Sequence, residues 1–151
     1  MLPDDIHVTM WGKVKNVIVS GYVCFNAEIL EELRSLNGSV GECLMSCADR
    51  CLYEVGDNRW DWPAYLVKFS ELKIKYTGCI SEYNGNRKST VGLNDLSIIA
   101  LAATMKLPLI SMESDVGQVS DKKKRIPEIC KIEGVKHLTF NDFLRAEKIS
   151  I

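Results

Sequence analysis

The sequence predicts an α/β fold in which helices flank a parallel sheet, and two observations lead to this class. Helical and strand-like segments alternate along the chain with long connections, which is typical of a parallel sheet. The segment Leu107–Met112 is a short, uninterrupted apolar run, typical of a parallel strand covered on both faces. Three strand-like runs are found, which is few for the sheet of a domain this size.

The first part of the chain is predicted to be mostly helical. Spaced apolar residues predict a helix over Trp11–Val19 that ends at Gly21. The β-type run Tyr22–Phe25 follows this helix. Asn26 is then predicted to cap a helix over Ala27–Leu36.

Two longer helices are predicted before the middle of the chain. The first covers Val40–Val55, carries a stripe of cysteines and is broken by Gly56–Asn58. The second covers Trp60–Tyr76, where Pro63 is tolerated because it lies in the first turn. The polar and turn-rich segment 78–92 is predicted to be an exposed loop.

The second half is predicted to alternate between helices and strands. Its elements are a helix over Asp95–Met105, a strand over Leu107–Met112, a helix over Glu128–Glu133, a strand over Val135–Phe140 and a helix over Asp142–Glu147. Asn94 is predicted to cap the first of these helices and Gly134 to end the second. The cap of the last helix is either Thr139 or Asn141.

Length and composition predict one soluble globular domain over residues 1–151. Apolar residues make up 46% of the chain, charged residues 26%, and the net charge is −1. The overall charge therefore creates no electrostatic field that would attract nucleic acid or an anionic membrane. No apolar run is long enough to span a membrane, and the first residues lack the features of a secretory signal. A cytoplasmic location is expected.

Three of the six cysteines are spaced four residues apart, at Cys43, Cys47 and Cys51. This spacing stacks them on one helical face but matches no common zinc pattern. His7 and His137 are the two histidines, too few to complete such a site. The cysteines are therefore interpreted as small core residues that stay reduced in the cytosol.

Four carboxylates are candidates for a metal site: Glu32, Asp95, Glu113 and Asp115. Glu113 and Asp115 follow the strand over Leu107–Met112, and the carboxyl ends of parallel strands share one edge of the sheet. Carboxylates suit Mg²⁺ or Mn²⁺, which activates water and neutralises phosphodiester charge. The alternative is structural, because an acid such as Asp95 also stabilises a helix start.

Other catalytic arrangements are not found in the sequence. There is no Ser-His-Asp or Cys-His pattern and no glycine-rich phosphate loop. A basic run consists of Lys122, Lys123, Lys124 and Arg125. It is a solvated loop unless it borders the acidic site, where it would contact RNA phosphates.

The order of the acidic motifs resembles that of PIN-domain ribonucleases, the fold of VapC-type toxins. Ile29-Leu30-Glu31-Glu32-Leu33 matches a helix motif in which Glu32 has the position of the family's acid. Asp95–Ala102 matches an Asp that precedes an apolar helix of small residues. Leu109–Glu113 matches a strand that ends in Thr-x-Asp, with Ser111 and Glu113 in those two positions.

The chain is also similar to an uncharacterised PIN-like subgroup. That subgroup has Glu at the end of the strand, then a basic loop, an I-P-x-x-C motif and a G-V-containing strand. Ile126–Cys130 and Gly134-Val135 match these features, and an early stretch with Pro3, Asp5, Ile6 and Trp11 is similar to it as well. The similarity covers most of the chain and is weak between Ser39 and Val91.

The resemblance implies a PIN-like three-layer fold and a metal-dependent endoribonuclease, the toxin of a toxin-antitoxin system. Its partners would be RNA and a cognate antitoxin. The implied Mg²⁺ or Mn²⁺ ligands are Glu32, Asp95 and Glu113, with Asp115 as a further candidate. Ser111 would orient a water or a carboxylate. The implied RNA contacts are Lys122, Lys123, Lys124 and Arg125.

The family begins with an Asp-bearing strand, in a motif like I-D-T-S, and this chain starts after the expected position of that strand. Asp4 and Asp5 lie in a different motif, so the role is not carried over to them. Three explanations are open: a truncated start, a strand donated by a partner or by a second copy in a homo-oligomer, or a degenerate binding module without catalysis. A plain α/β domain with structural acids is a further alternative.

Overall fold

The computed structural model of the protein describes residues 8–36, 38–85, 88, 90–114, 120 and 123–149. The structure is mixed α/β and mostly helical, with a small two-stranded parallel sheet flanked by helices. The described residues belong to two compact units: unit 1, up to Glu54 and from Leu144 onward, and unit 2, Val55–Phe143. The single domain over residues 1–151 stays a prediction.

The described residues form eight α-helices, one 3₁₀ helix over Thr77–Cys79 and two strands. The helices are α1 Val8–Val19, α2 Ala27–Leu33, α3 Gly38–Ser46, α4 Ala48–Cys51, α5 Trp62–Lys75, α6 Leu93–Met105, α7 Ile126–Glu133 and α8 Phe140–Ala146. The strands are β1 Leu109–Ser111 and β2 His137–Thr139. No helix in the described part of the chain combines the length and apolar character that a membrane span requires.

In unit 1 the start of α2 confirms the sequence prediction. The Asn26 side chain accepts a hydrogen bond from the Ile29 N–H at 3.0 Å, which satisfies one of the unpaired donors at the helix start. The helix ends at Leu33 rather than Leu36. The preceding helix α1 ends before Gly21, whose φ of +76° suits glycine.

The predicted continuous helix over Val40–Val55 is wrong, because the chain leaves helical geometry at Cys47, with φ −106° and ψ 9°. After α4, Leu52 pairs with Phe25 in a single parallel bridge. The Phe25 N–H donates to the Cys51 carbonyl at 2.9 Å. A continuing helix would use the Cys51 carbonyl and the Tyr53 N–H in its own hydrogen bonds. Because both groups bond to Phe25 instead, the helix ends at Cys51. The run Tyr22–Phe25 therefore gives one bridge rather than a strand.

In unit 2 the two strands pair in parallel, with Leu109 opposite His137 and Ser111 opposite Thr139. Two strands replace the three predicted ones. Leu109 is buried, but Ile110 is 44% exposed, so the prediction that this strand is covered on both faces is wrong. Helix α6 is buried and packs on α5.

The starts of α6 and α8 correct and refine the predicted caps. Helix α6 begins at Leu93, so Asn94 lies inside the helix and is not its cap. At the start of α8, the Thr139 hydroxyl accepts from the Asp142 N–H at 3.2 Å. The Asp142 carboxylate accepts from the Thr139 N–H at 3.1 Å. Of the two predicted alternatives, Thr139 is therefore the cap.

The carboxylate of Glu133 anchors the end of α7 to α5. It accepts hydrogen bonds from Lys68 Nζ at 2.8 Å, Lys75 Nζ at 2.6 Å and Tyr76 Oη at 2.5 Å. Its side chain is only 6% exposed. Burial alone would raise the pKa of Glu133, but these hydrogen bonds outweigh it and lower the pKa to about 2.

The variant Glu133→Gln is expected to lower the free energy of unfolding at pH 7 by about 1–3 kcal/mol, because the hydrogen bonds lose their charge. A depressed carboxyl pKa stabilises the fold above its unfolded value near 4.5, and this contribution is lost as the pH falls toward about 2. Urea unfolding of both proteins should therefore give a smaller difference at pH 3 than at pH 7.

The control is Glu71→Gln, which removes an exposed carboxylate from α5, the helix to which Glu133 is bound. Its free energy of unfolding is expected to stay within about 0.5 kcal/mol of the wild type. Equal stability of Glu133→Gln and wild type at pH 7 would contradict the anchoring role.

Candidate functional site

Two carboxylates lie at the start of α6. Asp95 Oδ2 accepts from the Gly92 N–H at 2.8 Å. The carboxylate of Glu82 accepts from the Leu93 N–H, with the shorter distance 2.8 Å to Oε2. The first N–H groups of a helix have no acceptor within the helix, and the helix dipole favours negative charge there. The start of α6 therefore holds both acids.

The start of α7 repeats this arrangement. Glu128 Oε2 accepts from the Arg125 N–H at 3.3 Å. Glu113, which follows β1, accepts from the Ile126 N–H through its Oε2 at 3.0 Å. Glu128 is only 4% exposed. Each of the two helix starts thus holds its own acid and one from a preceding segment.

Glu113 interacts electrostatically with Asp95 and with Glu128, and we call these three residues the acidic cluster. Burial raises the pKa of Glu113 above its ordinary value, and the charges of Asp95 and Glu128 raise it further. The hydrogen bond from Ile126 and the charge of Arg125 act in the opposite direction without cancelling the shift. Negative charge is therefore concentrated at this end of unit 2.

Gly92 leaves room for the carboxylates at the start of α6. A Cβ atom at this position would lie 3.1 Å from Glu82 Oε1 and 3.5 Å from Asp95 Oδ2. A side chain at residue 92 would therefore crowd the Glu82 oxygen and touch the Asp95 oxygen. Glu82 and Asp95 approach the same point, so Glu82 borders the acidic cluster.

The end of β1 also holds a contact between Ser111 and His137. Ser111 Oγ lies 2.7 Å from His137 Nε2 and accepts from the Glu113 N–H at 3.2 Å. Burial lowers the pKa of His137 against the opposing charges of Asp142 and Glu128. The Ser111 hydroxyl is thus held in place beside Glu113.

Of the four predicted carboxylates, the structure places Asp95 and Glu113 within electrostatic range of each other. Glu32 lies in unit 1, exposed on α2, and its role as a metal ligand stays a prediction. Asp115 lies outside the described residues. Within the ranges that the structure describes, no group of three or more His, Cys, Asp and Glu is arranged to hold a metal ion.

The predicted basic run is described from Lys123 onward, and Lys122 lies outside the described residues. Lys123 is exposed, and Lys124 Nζ donates to the Ser120 carbonyl at 2.8 Å. Arg125 Nη2 donates to the Ser114 carbonyl at 2.7 Å. Since the charge of Arg125 lowers the pKa of Glu113, this end of the basic run borders the acidic cluster.

Sequence reasoning missed Glu82, Glu128 and His137. Glu128 has a local signal, because it lies three residues after Arg125 at a helix start, where acids are favoured. Glu82 has no such signal, since it reaches Leu93 across the segment that was predicted to be a loop. His137 contacts Ser111 only through the register of the two strands.

The fold and these side chains define a mixed α/β protein with an acidic cluster at the end of a parallel strand. The chain belongs to the family described as "Domain of unknown function (DUF4411)", whose model matches residues 2–151. No curated protein and no solved structure matches it. Function is therefore argued from the acidic cluster and its surroundings.

The variant Glu113→Gln is expected to raise the free energy of unfolding at pH 7. Because the folded-state pKa of Glu113 lies above its ordinary value of 4.5, the charged carboxylate is less favourable in the folded than in the unfolded chain. This destabilisation is present above the folded-state pKa and vanishes as the pH falls below 4.5. Urea unfolding should show a higher free energy of unfolding for Glu113→Gln than for the wild type at pH 7, and no difference at pH 4.

The control for this measurement is Glu31→Gln, which changes an exposed glutamate whose ion pair with Arg34 is also exposed. Such pairs contribute little to stability, so no gain is expected. A loss of stability in Glu113→Gln at pH 7 would mean that the hydrogen bond to Ile126 outweighs the repulsion.

Proposed function

We propose that the protein is a PIN-like ribonuclease that hydrolyses RNA phosphodiester bonds with a carboxylate-bound Mg²⁺ or Mn²⁺. The observation that carries this proposal is the placement of Asp95, Glu113 and Glu128 at the starts of α6 and α7. Burial and the charges of the other two acids raise the pKa of Glu113 there. Like charges gathered in a partly buried place are costly for stability, and they recur at functional sites. The PIN-like three-layer arrangement belongs to the same proposal.

The donor set of the acidic cluster fits a hard cation. Magnesium is commonly held by one or two carboxylates together with waters and substrate phosphates, so a complete protein cage is not required. Cys130 does not compete as a soft ligand, because burial and the charge of Glu113 raise its pKa to about 12. Asp95 and Glu113 would hold the ion, which when bound activates water and neutralises phosphate charge. Glu32 and Asp115 are proposed as further ligands.

Other side chains would position the substrate and the carboxylates. Ser111, fixed by His137 and by the Glu113 N–H, would orient the Glu113 carboxylate or a water next to it. Lys123, Lys124 and Arg125 would contact RNA phosphates, and Lys122 belongs to the same proposed contact. These contacts would offset the repulsion between the acidic cluster and the RNA backbone.

The biological role that we propose is that of a cytoplasmic toxin neutralised by a cognate antitoxin. This part of the proposal rests on the resemblance of the acidic motifs to VapC-type toxins. The basic side of the site, which ends at Arg125, would be the surface that an acidic antitoxin segment covers. Association of the chain with further copies of itself, as a homo-oligomer, is also proposed.

A second candidate function is a PIN-like module that binds without cleaving. The observation in its favour is that Asp95, Glu113 and Glu128 each accept a backbone N–H at a helix start. Helix capping alone would account for those contacts. In that case the acids would stabilise the fold and the basic run would carry the binding.

The test is cleavage of a fluorescently labelled RNA by the purified chain with Mn²⁺. Asp95→Asn and Glu113→Gln are each expected to lower the rate at least about tenfold, because even outer partners of a metal site have effects of that size. Asp61→Asn is the matched control, since Asp61 caps α5 by accepting from the Ala64 N–H at 3.1 Å. Its activity should equal that of the wild type.

Glu32 offers a second matched pair of variants. Glu32→Gln is expected to lower the rate at least about tenfold, whereas Glu31→Gln, one residue earlier on the same helix, should leave it unchanged. Wild-type RNA binding without cleavage would favour the binding module. Cleavage that survives both Asp95→Asn and Glu113→Gln would contradict the catalytic role of the acidic cluster.

A further inference from the structure

Unit 1 contains a group of thiols that the acidic cluster does not involve. Cys43 and Cys47 are one helical turn apart, with the Cys47 N–H donating to the Cys43 carbonyl at 3.1 Å. Both side chains are half-buried, whereas Cys51, one turn further, is fully buried. Cys43 and Cys47 are therefore within reach of a small solute.

The thiols of Cys43 and Cys47 lie close enough to interact. Cys47 Sγ also lies 3.7 Å from Ser46 Oγ. The other two thiols nearby are directed elsewhere. Cys51 Sγ donates to the Ile18 carbonyl at 3.7 Å, and Cys24 is hydrogen bonded to Tyr53.

We propose that Cys43 and Cys47 bind one soft monovalent cation of the Cu⁺ class between their sulfur atoms. Thiolates select soft ions, and Cu⁺ accepts two thiolates in a line. Zinc prefers four ligands, and among the described residues no three metal-binding side chains are arranged around one point. The pair therefore suits a two-coordinate ion and not a zinc cage.

A disulfide fits this pair less well than a bridging ion does. Helical residues four apart have Cβ atoms about 5–6 Å apart, whereas a disulfide needs about 3.5–4.5 Å. An ion between the two sulfur atoms spans the wider gap without moving the backbone. The break between α3 and α4 at Cys47 adds freedom for small adjustments of that side chain.

The test is anaerobic competition for Cu⁺ between the full-length reduced chain and a chromophoric Cu⁺ chelator. The wild type is expected to take one ion per chain. Cys43→Ser and Cys47→Ser should each weaken binding at least about tenfold. Cys24→Ser is the matched control, because Cys24 is also a half-buried thiol of unit 1, and its affinity should be unchanged.

Two further measurements keep the assignment testable if a variant fails to fold. In the wild type, Cu⁺ should protect Cys43 and Cys47, but not Cys24, from alkylation as mapped by mass spectrometry. A parallel titration with Zn²⁺ should give weaker binding. Equal protection of Cys24, binding of Zn²⁺ as tight as that of Cu⁺, or the absence of Cu⁺ binding would each overturn the proposal.

Discussion

The unpaired N–H groups at the starts of α6 and α7 determine where the acids of unit 2 lie. Each helix start takes one carboxylate from its own first turn, Asp95 or Glu128, and one from an earlier segment, Glu82 or Glu113. The helix dipoles offset part of the negative charge, which allows several carboxylates to approach one another. The Ile126 N–H bonds to Oε2 of Glu113. A carboxylate has a second oxygen, so the same side chain could cap the helix and bind a metal ion.

The two ends of helix α7 have opposite electrostatic surroundings: its start adjoins the acidic cluster, and its end forms stabilising ion pairs. Its start gathers like charges, whereas Glu133 at its end is bound by two lysines and a tyrosine. Directly after this anchor, Gly134 adopts a φ of +74° and the chain turns into β2. Strand β2 follows this anchor, and its parallel pairing with β1 brings His137 to Ser111. The attraction at one end helps to offset the repulsion at the other.

The sequence predicted features that depend on neighbouring residues better than those that depend on distant contacts. The Asn26 cap and the end of α7 at Gly134 are local, and both predictions were confirmed. The predicted helix over Val40–Val55 breaks at Cys47 and ends at Cys51, where the distant pairing between Phe25 and Leu52 begins. Asp95 and Glu113 could be selected because they adjoin apolar segments. Glu82 could not, since its contact with the start of α6 bridges the turn-rich loop.

Glu113 is the residue that separates the two interpretations of the acidic cluster. A carboxylate that serves only as a helix cap is stabilised in its charged form, and its pKa falls. Glu113 accepts the Ile126 N–H, yet its pKa is raised, because burial and the charges of Asp95 and Glu128 outweigh the cap. Helix capping alone would be better served by a more exposed acid away from these neighbours. A carboxylate held where its charge is unfavourable is what a site for a cation requires, and this supports the catalytic proposal over a purely structural one.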